Sequence, residues 1–200
     1  MTFLFDEDIK AKVSALDPKF REKINDMFEA MHKSISMLYD AAIRDEKTGL
    51  YNNKFFETVL EMESEKAKRK QQKLSLVIID VDHFKKINDT YGHLKADEML
   101  AELGKIIIKT VRKSDIAARF GGEEFFILLP ETNLDKAKKF AARLRTAIHT
   151  DKFLKKFKLT VSGGITQYKE GDNKMKFKER TDKALYKAKE GGRDRFEVMK

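Results

Sequence analysis

The sequence has 200 residues, 41% of them hydrophobic and 38% charged, enough for one domain with a real core plus an extension. It contains no cysteine, which excludes disulfides, thiolate metal sites and cysteine nucleophiles, and no apolar run of the roughly 18 residues that a spanning helix needs. The net charge of +9, from 42 basic and 33 acidic residues, favours polyanionic partners, although lysines spread this evenly also suit a solvated surface of the heat-adapted kind. Met1–Glu7 has no basic start and meets acid quickly, which argues against a signal peptide and for a cytoplasmic protein. His32, His83, His93 and His149 lack zinc-like spacing.

In chain order, residues 1–44 read as helical, with no strand signal, and residues 45–200 as mixed. Asp17-Pro18 is a helix start, with Asp as N-cap and Pro at the first position. Phe20, Ile24, Met27, Met31, Ile35, Leu38 and Ala42 then recur at alternating spacings of three and four. That stripe fits a dimerising stalk or a helix packed on its own domain. Asn52 to about Arg69 is helical, and Leu74–Ile79 is a short apolar run expected of a buried central strand. Asp82 can cap a following helix, and Leu94 to about Val111 is a long amphipathic one. Ile116–Phe120 and Glu124–Leu129 are strands joined through Gly121-Gly122, a hairpin signal, with Pro130 ending the second. Helix over Leu134–His149, strand over Lys158–Gln167 with Gly163-Gly164 inside it, helix over Lys178–Glu190 and strand over Arg195–Met199 complete the chain. The β-α-β-β-α-β order predicts an α+β, ferredoxin-like sandwich with a central, mostly antiparallel sheet flanked by helices.

Asp80 sits where the apolar strand ends, and acid directly after a buried strand requires something to neutralise it. Glu123 and Glu124 follow the two glycines of the hairpin, where a solvated turn is the milder explanation. If the hairpin lies beside the strand, at least three carboxylates converge, and a divalent cation would relieve their repulsion. An all-oxygen donor set points to magnesium or manganese, whose shell phosphates complete, so a nucleoside triphosphate is the natural partner. A helix starting near His83 would offer free N–H groups to a phosphate beside those acids.

Gly121-Gly122-Glu123-Glu124-Phe125 resembles the GGEEF form of the GGDEF signature. The block Asp80–His93 resembles the D-x-D-x-F-K-x-x-N-D-x-x-G-H pattern of the same family. Arg119-Phe120, Ser162–Ile165 and Ala184–Arg193 resemble its other motifs, in order, over residues 45–198. The resemblance is to diguanylate cyclases, with a nucleotidyl-cyclase-like fold. It implies that two GTP molecules are condensed into cyclic di-GMP by a homodimer holding two Mg2+ (or Mn2+) ions per half-site. By resemblance, Asp80, the backbone carbonyl of Val81, Glu123 and Glu124 hold metal. Glu123 also acts at the ribose 3′-hydroxyl, where a mainly electrostatic role suits a metal-bound carboxylate better than a basic one. Main-chain N–H groups near His83 and Phe84, with Lys85, Lys189 and Arg193, take the triphosphate. Asn88 and Asp97 read guanine, whose N1–H and N2 amino group suit a carboxylate as adenine does not.

Arg112-Lys113-Ser114-Asp115 fits the family's R-x-x-D inhibitory motif. The resemblance makes Arg112 and Asp115, with Arg143, a product site for cyclic di-GMP, the alternative being a surface pair at a helix–strand corner. Three positions depart from the family pattern. Lys47 replaces an apolar residue and is expected to weaken packing where the stalk ends, and Asn53 replaces an arginine. Ala96 stands where glycine is usual, at a cost of about 1 kcal/mol if that position needs positive φ. The rival readings are a hybrid GMP–AMP cyclase, against which Asp97 argues, and a silent domain acting as a cyclic di-GMP or GTP receptor, against which intact Asp80, Glu123 and Glu124 argue. A nucleic-acid binder would need a concentrated basic face with interleaved aromatics, which the dispersed lysines do not form. No membrane partner is expected.

Overall fold

The structure, a computed structural model, describes residues 12–70 and 72–200; the sequence reading of Met1–Glu7 lies outside them. They divide into a unit that ends at Ala42 and one that runs from Ile43 to Lys200. The first is dominated by helix α1 (Pro18–Ile43), which has no buried residue. Its start is capped as expected, the Lys19 amide donating to Asp17 Oδ1 at 3.0 Å. Phe20, Met27, Met31, Ile35 and Leu38 are exposed along it.

The second unit is a six-stranded sheet in the order β1-β3-β4-β2-β5-β6. Its strands are β1 (Tyr51–Asn52), β2 (Leu74–Val81), β3 (Ile116–Gly121), β4 (Glu124–Pro130), β5 (Val161–Gln167) and β6 (Phe196–Val198). The inner four pair antiparallel and the two short edge strands parallel, so the predicted ferredoxin-like order is present with an edge strand added on each side. The helices are α2 (Asn53–Lys70), α3 (Phe84–Tyr91), α4 (His93–Thr110), α5 (Leu134–Thr150), α6 (Lys152–Lys156) and α7 (Lys174–Glu190). None of the helices among the described residues is long and apolar enough to cross a membrane.

Every residue of β2 is buried, because helices cover both faces of the sheet. Strand alternation then divides the core in two. Val77, Ile79, Val81, Phe125, Ile127 and Leu129 pack with α4 and α5 residues on one face. Leu74, Leu76, Ile78, Phe126 and Leu128 pack with Phe56 and Leu60 of α2 and Phe177 and Leu185 of α7 on the other.

The paired glycines of β5 have a steric cause. A Cβ on Gly163 would stand 2.3 Å from the Phe196 ring, and one on Gly164 would stand 2.1 Å from the Thr181 carbonyl oxygen and 2.5 Å from the Leu185 nitrogen. The second clash is with helix backbone, so only glycine lets α7 lie this close to the sheet. Gly164→Ala is therefore expected to destabilise the domain by about 3 kcal/mol or more, read as a lowered denaturant midpoint at unchanged m.

Four expectations change. The hairpin turn is Gly122-Glu123, with Gly121 still in β3, paired with Glu124. Asp82 caps nothing: His83, in the left-handed region at φ 56, precedes α3 without a side-chain cap. α7 begins at Lys174, four residues earlier than expected, because Asn173 accepts from the Lys176 amide. α6 was not foreseen; its cap, Asp151, accepts from the Phe153 and Leu154 amides.

Candidate active site

β2 and β4 run side by side with Asp80 directly opposite Glu124, and the Val81 amide donates to the Glu123 carbonyl at 3.3 Å. Both carboxylates are on even-numbered strand positions and so lie on the α7 face of the sheet. Asp80 is 8% exposed. Lys189, in the last turn of α7, reaches it with Nζ 2.9 Å from Asp80 Oδ2. Burial pushes the Asp80 carboxyl above the usual carboxylate range, the Lys189 bond and charge pull the other way, and Asp82 adds to the rise. Glu124 is raised as well, first by burial and then by the charges of Asp80 and Asp182. Asp182 was not picked out from the sequence. It lies seven residues before Lys189, on the same face of α7, and that helical spacing was its only signal.

The hairpin carries its two glutamates differently. Gly122 is left-handed at φ 47 and stands at the first central position, as in a type II′ turn. Glu123 is therefore at the tip and Glu124 in the strand. Arg119 clamps the turn, its Nη2 and Nε donating to the Gly122 carbonyl at 2.7 and 3.0 Å. Because the glutamates divide in this way, the predicted three-carboxylate convergence is only partly present. Among the described residues no three His, Cys, Asp or Glu side chains gather into a metal-holding group. Asp80 and Glu124 are the pair that the sheet brings together. Their all-oxygen chemistry and their shared upward shift fit a hard divalent cation, which would relieve both.

Asp82 is 4% exposed. It accepts from Ser162 Oγ (2.6 Å), Thr160 Oγ1 (2.8 Å) and the Asp194 amide (3.0 Å). Gly192, Arg193 and Asp194 are successive left-handed residues. Asp82 thus pins the turn that presents Arg193, whose charge acts on Asp80. Asp82 positions the site where the sequence suggested a cap.

The residues expected to hold phosphate lie in two segments next to the end of β2. His83, Phe84 and Lys85 form the β2–α3 turn and the start of α3, whose first amides have no side-chain cap. Lys189 and Arg193 approach from α7 and the turn after it. Asn88 Oδ1 lies 3.1 Å from His93 Nδ1, which ties α3 to the first turn of α4, and Asp97 is one turn further along the same face. Ala96 is fully buried in that helix without positive φ; Gly92 carries the positive φ instead, at 80°, so alanine brings no left-handed strain there. Lys47, the departure at the end of the predicted stalk, reaches Asp97 with an Nζ–Oδ2 distance of 2.6 Å.

Past the C-terminal end of α4, Arg112, Asp115 and Arg143 line one cavity of about 180 Å3 with Lys136, Lys139 and Phe140. Asp115 accepts from the main-chain N–H of Arg112 at 2.8 Å, not from its guanidinium. Burial pushes the Asp115 carboxyl up, against the pull of Arg112 and Arg143. Lys136 and Lys139 were missed. Their spacing with Arg143 places all three on one face of α5, but nothing in the sequence says which loop that face meets.

Comparison with known proteins places this geometry in context. Residues 42–195 match the family described as diguanylate cyclase, GGDEF domain. The chain is 37% identical over 199 residues to the diguanylate cyclase DgcP of Pseudomonas aeruginosa, covering 96% of this chain and 29% of that one. It resembles the coiled coil and GGDEF domain of DgcB from Caulobacter crescentus in complex with c-di-GMP, at a TM-score of 0.79 and 27% identity, covering 89% of this chain and 96% of that one. It also resembles the active GGEEF domain of a diguanylate cyclase from Vibrio cholerae, at a TM-score of 0.67 and 34% identity, covering 72% of this chain and 93% of that one. The chain spans 29% of the length of DgcP and 36% of that of diguanylate cyclase A of Treponema denticola.

Proposed function

The chain belongs to the GGDEF-domain family of diguanylate cyclases, and from that premise we propose that it condenses two GTP molecules into cyclic di-GMP. The 3′-hydroxyl oxygen of each GTP bonds to the α-phosphorus of the other, the α–β anhydride breaks, and two pyrophosphates and two protons leave. The observation that carries this reading is the buried Asp80 facing Glu124 across β2 and β4, with Lys189 on Asp80.

Asp80, Glu124, the Val81 carbonyl and Glu123 would hold the divalent ions, magnesium or manganese, two per half-site. When bound, these supply charge neutralisation at the reacting phosphate and at the attacking hydroxyl. The amides at the start of α3, with Lys85, Lys189 and Arg193, orient the triphosphate. Asn88 and Asp97 take the guanine edge, where a carboxylate accepts two donors that adenine lacks.

Each domain holds one GTP, so synthesis needs two domains face to face. The exposed stripe of α1 suits that role, and the Caulobacter relative carries a coiled coil beside its domain. Arg112, Asp115 and Arg143 would bind the product and inhibit. A catalytically silent receptor for cyclic di-GMP or GTP, or a hybrid GMP–AMP cyclase, is the alternative.

Incubation with GTP, with ATP and with both, in Mg2+, followed by mass spectrometry, separates these readings. Cyclic di-GMP is expected, at a rate per chain that rises with protein concentration. Bound GTP without product would mean a receptor, and GMP–AMP at comparable yield a hybrid enzyme.

A further inference from the structure

The turn over residues 45–49 is fixed to one face of α4. Asp45 Oδ1 accepts from the Thr48 amide (2.9 Å) and hydroxyl (2.6 Å), and the Gly49 amide donates to the Asp45 carbonyl (2.9 Å). Thr48 is buried against Gly104, where a Cβ would stand 2.7 Å from the Thr48 carbonyl oxygen. Gly104 and Asp97 are two helical turns apart on α4, on a shared face about 10 Å from one another. With Thr48 seated on Gly104, the adjoining Lys47 reaches along that face to Asp97, giving the 2.6 Å contact. Lys95–Glu98 and Lys105–Glu102 on the same helix are i,i+3 neighbours that any helix makes. Lys47–Asp97 is different, because a buried contact elsewhere in the chain delivers the lysine.

Resting on the reading of Asp97 as the guanine reader, we propose that Lys47 is an intramolecular competitor of the base. Its ammonium holds a carboxylate oxygen that the guanine N1–H and N2 amino group need. Entry of the base therefore displaces an ion pair, and Lys47 sets the affinity of the base pocket. The side chains are 52% and 36% exposed, so the pair has the strength of a surface salt bridge and weakens as salt screens it.

Titration of the full chain with a non-cleavable α,β-methylene analogue of GTP tests this. Lys47→Met keeps the aliphatic stem and removes the charge. It is expected to tighten the analogue about two- to five-fold, the scale of one exposed ion pair. Losing a cation ordinarily weakens a polyanion, so the sign itself discriminates, and inorganic tripolyphosphate, which has no base, should show no such gain. The advantage of the variant should shrink as NaCl rises from about 0.05 to 0.5 M. Asp97→Asn should weaken the analogue and erase the effect of Lys47→Met. Unchanged or weaker binding in Lys47→Met, with Asp97→Asn still weakening it, overturns the role of Lys47 and leaves Asp97 as base reader. Unchanged binding in Asp97→Asn removes the guanine assignment and the competitor proposal with it.

Discussion

Asp80→Asn should cut cyclic di-GMP synthesis about a thousand-fold or more and, in the same protein, raise the melting temperature. The loss of rate follows from removing the charge that a divalent ion would meet at the reacting phosphate. The gain in stability follows from burial. Asp80 is 8% exposed, and burial outweighs Lys189, so the folded carboxyl holds its proton more tightly than the unfolded one. A carboxyl raised in the fold costs nothing below its unfolded pKa; it costs stability progressively as pH rises through its folded pKa and in full above that. Asparagine has no such pH dependence. The variant should therefore match the parent near the bottom of the carboxylate range and exceed it at neutral pH. Lys189 loses its partner in the variant, but its side chain is 33% exposed and stays hydrated, so that loss is the smaller term.

Added Mg2+ should narrow the gap. An ion that binds the folded parent raises its melting temperature by mass action, and the variant lacks the ligand. Retained turnover in Asp80→Asn would remove Asp80 from the chemistry. A lower melting temperature at neutral pH would mean that the Lys189 pair outweighs the burial cost. Melting curves at several pH values, with and without Mg2+, decide between these outcomes.

How much of this was legible beforehand depended on whether the signal was local. β2 was readable because a strand covered on both faces is a continuous apolar run, and the β5 glycines because two glycines inside a strand demand a reason. The position of Asp80 opposite Glu124 needed only the hairpin to lie beside β2. The splitting of Glu123 from Glu124 was not readable, since one residue of turn register moves a side chain from tip to strand. Asp82 read as a cap because Asp before a helix usually is one; its true partners, Thr160, Ser162 and Asp194, are far away in the chain. Lys47 was visible as a departure, but its partner depended on Thr48 seating on Gly104, a contact with no sequence signature. Long-range polar pairs of this kind are fixed by packing, and packing is what a single sequence leaves open.

Arg112→Ala should weaken inhibition by cyclic di-GMP about 10- to 100-fold, the scale of one bidentate arginine contact to a guanine edge or phosphate. The turn from Arg112 to Asp115 is closed from both sides: the Asp115 amide donates to the Arg112 carbonyl at 3.0 Å, and Asp115 Oδ2 accepts from the Arg112 amide at 2.8 Å. The carboxylate thus fixes the base of the arginine while the guanidinium takes no part in that bond. Across the cavity, Arg143 donates to the Thr110 carbonyl at 2.8 Å and holds the α5 face against the end of α4. Lys136 and Lys139 line the same space, so the cavity gathers four cations around one carboxylate. An anionic ligand with hydrogen-bonding edges suits such a site, and a lone surface Arg–Asp pair would not need it. Lys136→Ala, which removes a point charge and no fork, should cost only a few-fold, and that cost should fade in salt. Inhibition curves and direct titration with cyclic di-GMP measure both variants. An inhibition constant unchanged in Arg112→Ala would reduce the motif to a structural corner between α4 and β3.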